Sequence, residues 1–191
     1  MSTLEELQKL RILVIHPRDT DGEKIIRYLR RVGCDVETTW PPPIELPTGM
    51  DIVFFLVDAR TSRSLSWTGN RAPAAIIGVI SQETPDILRL LADSSLHAMV
   101  VKPTDPFAIL TSLAIARNIF RYEGRLHTKI RKVEETLRSV RRVEQAKMIL
   151  MRAKKIKEQE AYEYLRRHAM NKGLPIGKVA SAIIDANGIL S

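Results

Sequence analysis

Apolar positions along the chain follow two different periods. In the first half they come as short runs separated by helical stretches. Arg11-Ile12-Leu13-Val14-Ile15 is continuous and β-rich, too short for a helix, and predicts a strand buried on both faces. Further strands are predicted at Asp35–Thr38, Ile52–Val57, Ala75–Ile80 and Ala98–Val101. Between them, Gly22–Gly33 places Ile25, Ile26, Leu29 and Val32 at helical spacing with Gly33 as its C-cap, and Pro85–Ser94 carries Ile87, Leu88, Leu90 and Leu91. Strands alternating with helices imply βα units and a parallel sheet covered on both faces. Five such strands within the first half fit a doubly wound, flavodoxin-like α/β domain. One helix is missing from the pattern. Trp40-Pro41-Pro42-Pro43, with Pro47 and Gly49 beyond, forces extended backbone and removes donors, so this connection is read as a stiff loop with Trp40 packed in it or serving as a contact. Thr61–Arg71 is similarly poor in helix formers and is expected to be mobile.

The second half carries no strand pattern. From Pro106 the chain is helix-compatible for more than forty residues, interrupted only by Gly124. Leu126, Ile130, Val133, Leu137 and Val140 are spaced 4, 3, 4, 3, the a/d seam of a coiled coil. Arg and Lys crowd the other faces, so the seam is expected to pair with a second copy of the chain. Two further helices follow. Glu158–Asn171 is stopped by Gly173 and Pro175–Ala186 presents Ile176, Val179, Ala180, Ile183 and Ile184; with Val140–Arg152 they make a small three-helix unit.

Charge sharpens this division. Of the 191 residues, 1–120 hold 13 Lys/Arg against 14 Asp/Glu, whereas 121–191 hold 17 against 8, which accounts for the whole net charge of +8. A near-neutral module followed by a basic one points to a polyanionic partner. The basic side chains are Arg138, Arg141, Arg142, Lys147, Arg152, Lys154, Lys155, Lys157, Arg166, Arg167, Lys172 and Lys178, and Tyr162 and Tyr164 among them are candidates to stack on unpaired bases. The single cysteine, Cys34, excludes an internal disulfide framework, and the four histidines lack ligand spacing. No Gly-rich phosphate loop or nucleophile–base constellation is present, so neither an enzyme nor a cofactor is expected. Residues 1–10 are polar and no apolar run is long enough to span a bilayer, which leads to the expectation of a cytoplasmic protein without membrane contact.

A domain of this size with Lys102-Pro103 after its last strand resembles the receiver domain of two-component response regulators. A working receiver needs an acidic pair after the first strand to hold Mg²⁺, an Asp at the end of the third and a hydroxyl after the fourth. Here those slots hold His16 and Pro17, Leu56, and Ile80, with Ser81 one residue off. Asp58 as a shifted acceptor, with Asp19 or Asp21 as metal ligands, is disfavoured because two residues along a strand displace a carboxylate by about 6–7 Å. The domain is therefore read as a pseudo-receiver in which His16, Pro17, Leu56, Ile80 and Lys102 form a degenerate phosphoacceptor site.

The tail carries Glu144-Gln145-Ala146-Lys147-Met148-Ile149-Leu150-Met151, then Glu160-Ala161, Leu165-Arg166-Arg167-His168-Ala169-Met170, and Lys178-Val179-Ala180 with Ile183-Ile184. This succession resembles the ANTAR domain, the RNA-binding module of transcription antitermination regulators, with Met148 where most members have Gly. Gly33–Val36 and Trp40–Pro43 add a likeness to the amidase-operon branch of that family. The resemblance implies a pseudo-receiver at 1–120, a dimerisation helix at 121–143 and a three-helix ANTAR unit at 144–191. It implies RNA recognition through Ala146, Lys147, Arg152, Arg166, Arg167 and Lys178. Ala146, Leu150, Met151, Leu165, Ala169, Met170, Val179 and Ala180 are read as that unit's core. It further implies a homodimer that grips stem-loops in leader mRNA, acts on RNA polymerase indirectly, and is held in check by a ligand-sensing, AmiC-like negative regulator of periplasmic-binding-protein fold. The alternative is a phosphorylation-dependent response regulator that binds DNA.

Overall fold

The computed structural model describes residues 7–57, 72–81, 84, 85, 87, 89, 92 and 94–190. The chain divides into two units, Met1–Gly124 and Arg125–Ser191. In the first, β1 (Arg11–Ile15), β2 (Asp35–Thr39), β3 (Ile52–Val57), β4 (Ala75–Ile80) and β5 (Ala98–Val101) form a parallel sheet in the order β2-β1-β3-β4-β5. The central strands β1, β3 and β4 alternate their side chains between two cores, as a period of two requires, whereas β2 and the alternate residues Met99 and Val101 of β5 are exposed. Ile12, Val14, Ile52, Phe54, Ile77 and Val79 face one core, which α1 (Thr20–Val32) closes with Ile25, Ile26 and Leu29. The same core takes Ile109, Leu113 and Ala116 from α2 (Pro106–Lys154). Leu13, Ile15, Val53, Phe55, Val57, Ile76 and Ile80 face the other core, with Met50 and Ile87. This is why the runs read as unbroken apolar stretches.

The ends of the elements have local causes. Asp51 accepts a hydrogen bond from the Arg11 amide (2.9 Å) and returns one from its own amide to the Arg11 carbonyl (2.9 Å), aligning the starts of β1 and β3. Asp19 caps α1, accepting from the amides of Asp21 (3.0 Å) and Gly22 (2.8 Å), and Gly33 at φ 100° ends it as a left-handed cap. Helix α1 thus begins two residues before the predicted Gly22. Buried His97 fastens β5 to α2: the Ile76 amide donates to Nδ1 (3.0 Å), which leaves the proton on Nε2, 3.4 Å from Glu123 Oε2, while the ring stands edge-on to Phe120. Residues 40–51 contain no helix, as the prolines require, and Trp40 is exposed on that loop rather than packed within it. Asp58 and the Thr61–Arg71 stretch lie outside the described residues.

Helix α2 is 49 residues long and runs through Gly124 without a break. Its last turns are the first helix of the second unit, joined by α3 (Glu158–Lys172) and α4 (Ile176–Leu190). Val143, Ala146, Leu150, Ala161, Leu165, Ala169, Val179 and Ala180 form the core. Half of these are alanines, so the helices approach closely; a Cβ on Gly177 would meet Ser139 of α2. Gly173, in the left-handed region at φ 60°, stops α3 where predicted. Among the described residues no helix is long and apolar enough to cross a membrane.

Candidate nucleic-acid interface and receiver-like site

In a 2-1-3-4-5 sheet the functional crevice lies at the carboxyl ends of the strands, beside the β1/β3 switch point. His16 follows β1 there, Leu56 and Ile80 sit at the ends of β3 and β4, and Lys102 follows β5. The five predicted positions therefore share one edge of the sheet. The His16 ring is buried, with Nδ1 2.8 Å from the Pro17 carbonyl and 3.4 Å from Asp19 Oδ1. Gly22 is required by this packing, because a Cβ there would stand 2.6 Å from the Pro17 oxygen and 2.7 Å from His16 Nδ1. Lys102 Nζ lies 3.6 Å from Asp19 Oδ2 and 3.8 Å from Asp21 Oδ2. Burial pushes the Asp19 carboxyl up, but the Gly22 amide, with His16 and Lys102 nearby, outweighs it and holds the group below its ordinary range. The carboxylates nearest this edge are thus engaged as a helix cap and as the partners of Lys102. Leu56 has no nucleophile and Ile80 no hydroxyl, and among the described residues no group of three or more His, Cys, Asp or Glu could hold a metal ion.

In the second unit the predicted RNA-binding residues separate into two sets. Arg152, Arg166, Arg167 and Lys178 are exposed, and no described residue pairs with them. Ala146 and Lys147 are not surface groups, which corrects that expectation. Ala146 is fully buried in the three-helix core. The Lys147 side chain is 9% exposed and its ammonium donates to Glu144 (2.9 Å) on its own helix and to Glu158 Oε1 (2.6 Å) on α3. Hydrogen bonding to Glu158 raises the Lys147 pKa, and the same bond holds Glu158 below its ordinary range. The sequence shows a lysine among apolar neighbours; that it clamps a helical hairpin depends on where α3 begins. Met170 is also corrected, from core to surface: it is 71% exposed, because one residue beyond buried Ala169 turns about 100° around the helix. The tyrosines differ as well. Tyr164 lies under Lys154 (3.9 Å from Nζ to ring centroid) and against the His168 ring (4.1 Å), whereas Tyr162 stands exposed.

The seam residues Leu126, Ile130, Val133, Leu137 and Val140 are all exposed, although large and apolar. Ile115, Ile119 and Tyr122, which the heptad reading left out, are exposed too and carry the same three- and four-residue spacing back along α2.

A doubly wound sheet with the receiver strand order and without the acceptor side chain at the matched position, followed by a basic three-helix unit, defines a regulator built on the response-regulator plan. The chain belongs to the family described as AmiR, N-terminal, which matches residues 10–117, and residues 131–184 match the ANTAR domain. It is similar to the aliphatic amidase regulator of Pseudomonas aeruginosa, 27% identical over 186 residues, which covers 96% of this chain and 95% of that protein. It is also similar to the transcriptional regulatory protein PdtaR of Mycobacterium tuberculosis, 25% identical over 117 residues, or 61% of this chain and 56% of that one. Among solved structures, response regulator StyR has a TM-score of 0.51 at 12% identity over 93% of this chain and 99% of its own. Full-length FixJ from B. japonicum scores 0.50 at 13% identity over 92% and 98%. These two likenesses concern the fold alone.

Proposed function

We propose that the protein is a transcription antitermination regulator that acts by holding stem-loops in leader mRNA. The observation that carries this reading is the surface of the three-helix unit, where Arg152, Arg166, Arg167 and Lys178 are exposed and pair with no described residue, on a fold matching the ANTAR domain. Unpaired guanidinium and ammonium groups neutralise phosphates and release counterions, which makes binding strong and salt-dependent. The exposed seam Leu126, Ile130, Val133, Leu137 and Val140 supports a homodimer. Joining two units in this way raises the effective concentration of the second site once the first is filled, so two small modules grip one leader. A stem-loop held by the dimer cannot rearrange into the overlapping terminator, and RNA polymerase reads through without being touched.

Control by phosphorylation is disfavoured by Leu56 and Ile80 at the acceptor and hydroxyl positions and by the engagement of Lys102 with Asp19 and Asp21. The likeness to the aliphatic amidase regulator supports control by a ligand-sensing protein of periplasmic-binding-protein fold instead. The test is equilibrium retention of a pool of two-stem-loop RNAs by the full chain, against duplex DNA of the same length, across a KCl series and with acetyl phosphate. The expected result is preference for RNA, affinity falling linearly on a log–log salt plot, and no effect of acetyl phosphate. Equal retention of DNA, or binding gained only with acetyl phosphate, would overturn the reading in favour of a phosphorylated DNA regulator.

A further inference from the structure

The two tyrosines of α3 are two positions apart and differ in what surrounds them. The Tyr164 ring is occupied by Lys154 and His168 and half-buried against the core. Tyr162 is 45% exposed, and no described residue engages its ring or hydroxyl. From Tyr162, steps of four residues lead to Arg166 and then Met170, each about 40° further round the exposed flank. Arg166 has no described carboxylate partner, and Glu158, one turn before Tyr162, is engaged by Lys147. The core does not need these side chains, since Ala161, Leu165 and Ala169 supply its α3 face.

A solvated helix flank is ordinarily charged and polar. Here an aromatic ring and a thioether stand on either side of a guanidinium that no described residue pairs with. That combination fits poorly with closed duplex, which offers phosphates and groove edges, and well with unpaired nucleotides, which offer flat apolar faces beside phosphates. Resting on the RNA reading above, we propose that Tyr162 is the stacking platform for an unpaired loop base, with Arg166 on the adjoining phosphate and Met170 extending the apolar bed. Tyr164 is then a structural residue.

The experiment uses the full chain and two probes: an RNA stem closed by a randomised loop, and the same stem as a blunt duplex. Tyr162→Ala is expected to weaken loop binding roughly 5- to 150-fold, the range for one lost base–aromatic stack, and to leave duplex binding and the salt slope unchanged. Tyr162→Phe keeps the ring and should retain wild-type loop affinity. Tyr164→Ala is expected to lower the melting temperature, a readout that exposed Tyr162 does not move. If the wild type prefers loops and Tyr162→Ala binds them equally well, the assignment is overturned while the RNA reading stands. Equal weakening on loop and duplex also overturns it, because a closed duplex has no base to stack. If the wild type binds neither probe, the RNA reading itself fails.

Discussion

Replacing Lys147 with Met separates a phosphate contact from a structural cation. The Lys147 ammonium sits between Glu144 (2.9 Å) and Glu158 (2.6 Å), so one positive charge faces two carboxylates and the trio carries one net negative charge. A cation satisfied at those distances has no charge left for a phosphate, and the salt dependence of RNA binding registers only phosphates actually neutralised. Lys147→Met should therefore leave the slope of log affinity against log salt unchanged. Arg166→Gln, at an exposed arginine with no partner among the described residues, should reduce it by about 0.7 to 0.9. What Lys147→Met does alter is the α2–α3 hairpin, and this appears in the pH dependence of unfolding. Hydrogen bonding to Glu158 raises the Lys147 pKa, so its contribution is complete below the unfolded value of 10.5 and is lost as pH rises through the higher folded value. Glu158 is lowered by the same bond, so its contribution is present above 4.5 and is lost as pH falls through the depressed folded value. Wild-type stability should thus hold between these limits and decline outside them, and Lys147→Met should flatten both shoulders. The assay is fluorescence-anisotropy titration of stem-loop RNA in a KCl series, with thermal melts across pH. A fall near one in the salt slope for Lys147→Met, with unchanged melts, would refute the clamp and restore Lys147 to the RNA surface.

Three other outcomes follow from the packing. Leu165→Ala, at a fully buried position in a core otherwise rich in alanine, should cost about 2–5 kcal/mol and remove hydrogen-exchange protection across the three helices while β1 to β4 keep theirs; a cost below about 1 kcal/mol would contradict the core assignment. Ile130→Asp with Leu137→Asp places charges on exposed seam positions, so sedimentation should report a monomer that melts like wild type in the first unit, and an unchanged dimer would sink the seam. Burial pushes the Cys34 thiol up and its sulfur donates to the Leu7 carbonyl, so alkylation should begin only on unfolding; a rate in the folded state like that of a free thiol would contradict this.

How much of this was legible in the chain depends on the range of the interaction. Arg11–Ile15, Ile52–Val57 and Ala75–Ile80 are strands at the residues predicted, because a strand buried on both faces is apolar along its length; Ala98–Val101 is a strand as predicted too, with Met99 and Val101 exposed on its outer face. Gly173 stops α3 as read, since a left-handed C-cap is a property of one residue and its nearest carbonyls. The replaced receiver positions were equally legible, because a leucine cannot accept a phosphoryl group wherever it is placed. Met170, by contrast, sits in an apolar turn and was assigned to the core; one residue of rotation exposes it, and apolar character does not encode that angle.

The basic residues make the same distinction at the functional surface. Lys147 and Arg152 lie five residues apart on one helix and are alike in charge, propensity and neighbourhood along the chain. Composition and spacing were enough to place the basic unit and its three helices, because these rest on local propensity and periodicity. Which cation is engaged depends on the return of α3 alongside α2, which brings Glu158 within 2.6 Å of Lys147 and no described carboxylate to Arg152. An ion pair across eleven residues is a matter of how two helices pack, and its energy depends on a distance that no one-dimensional pattern contains.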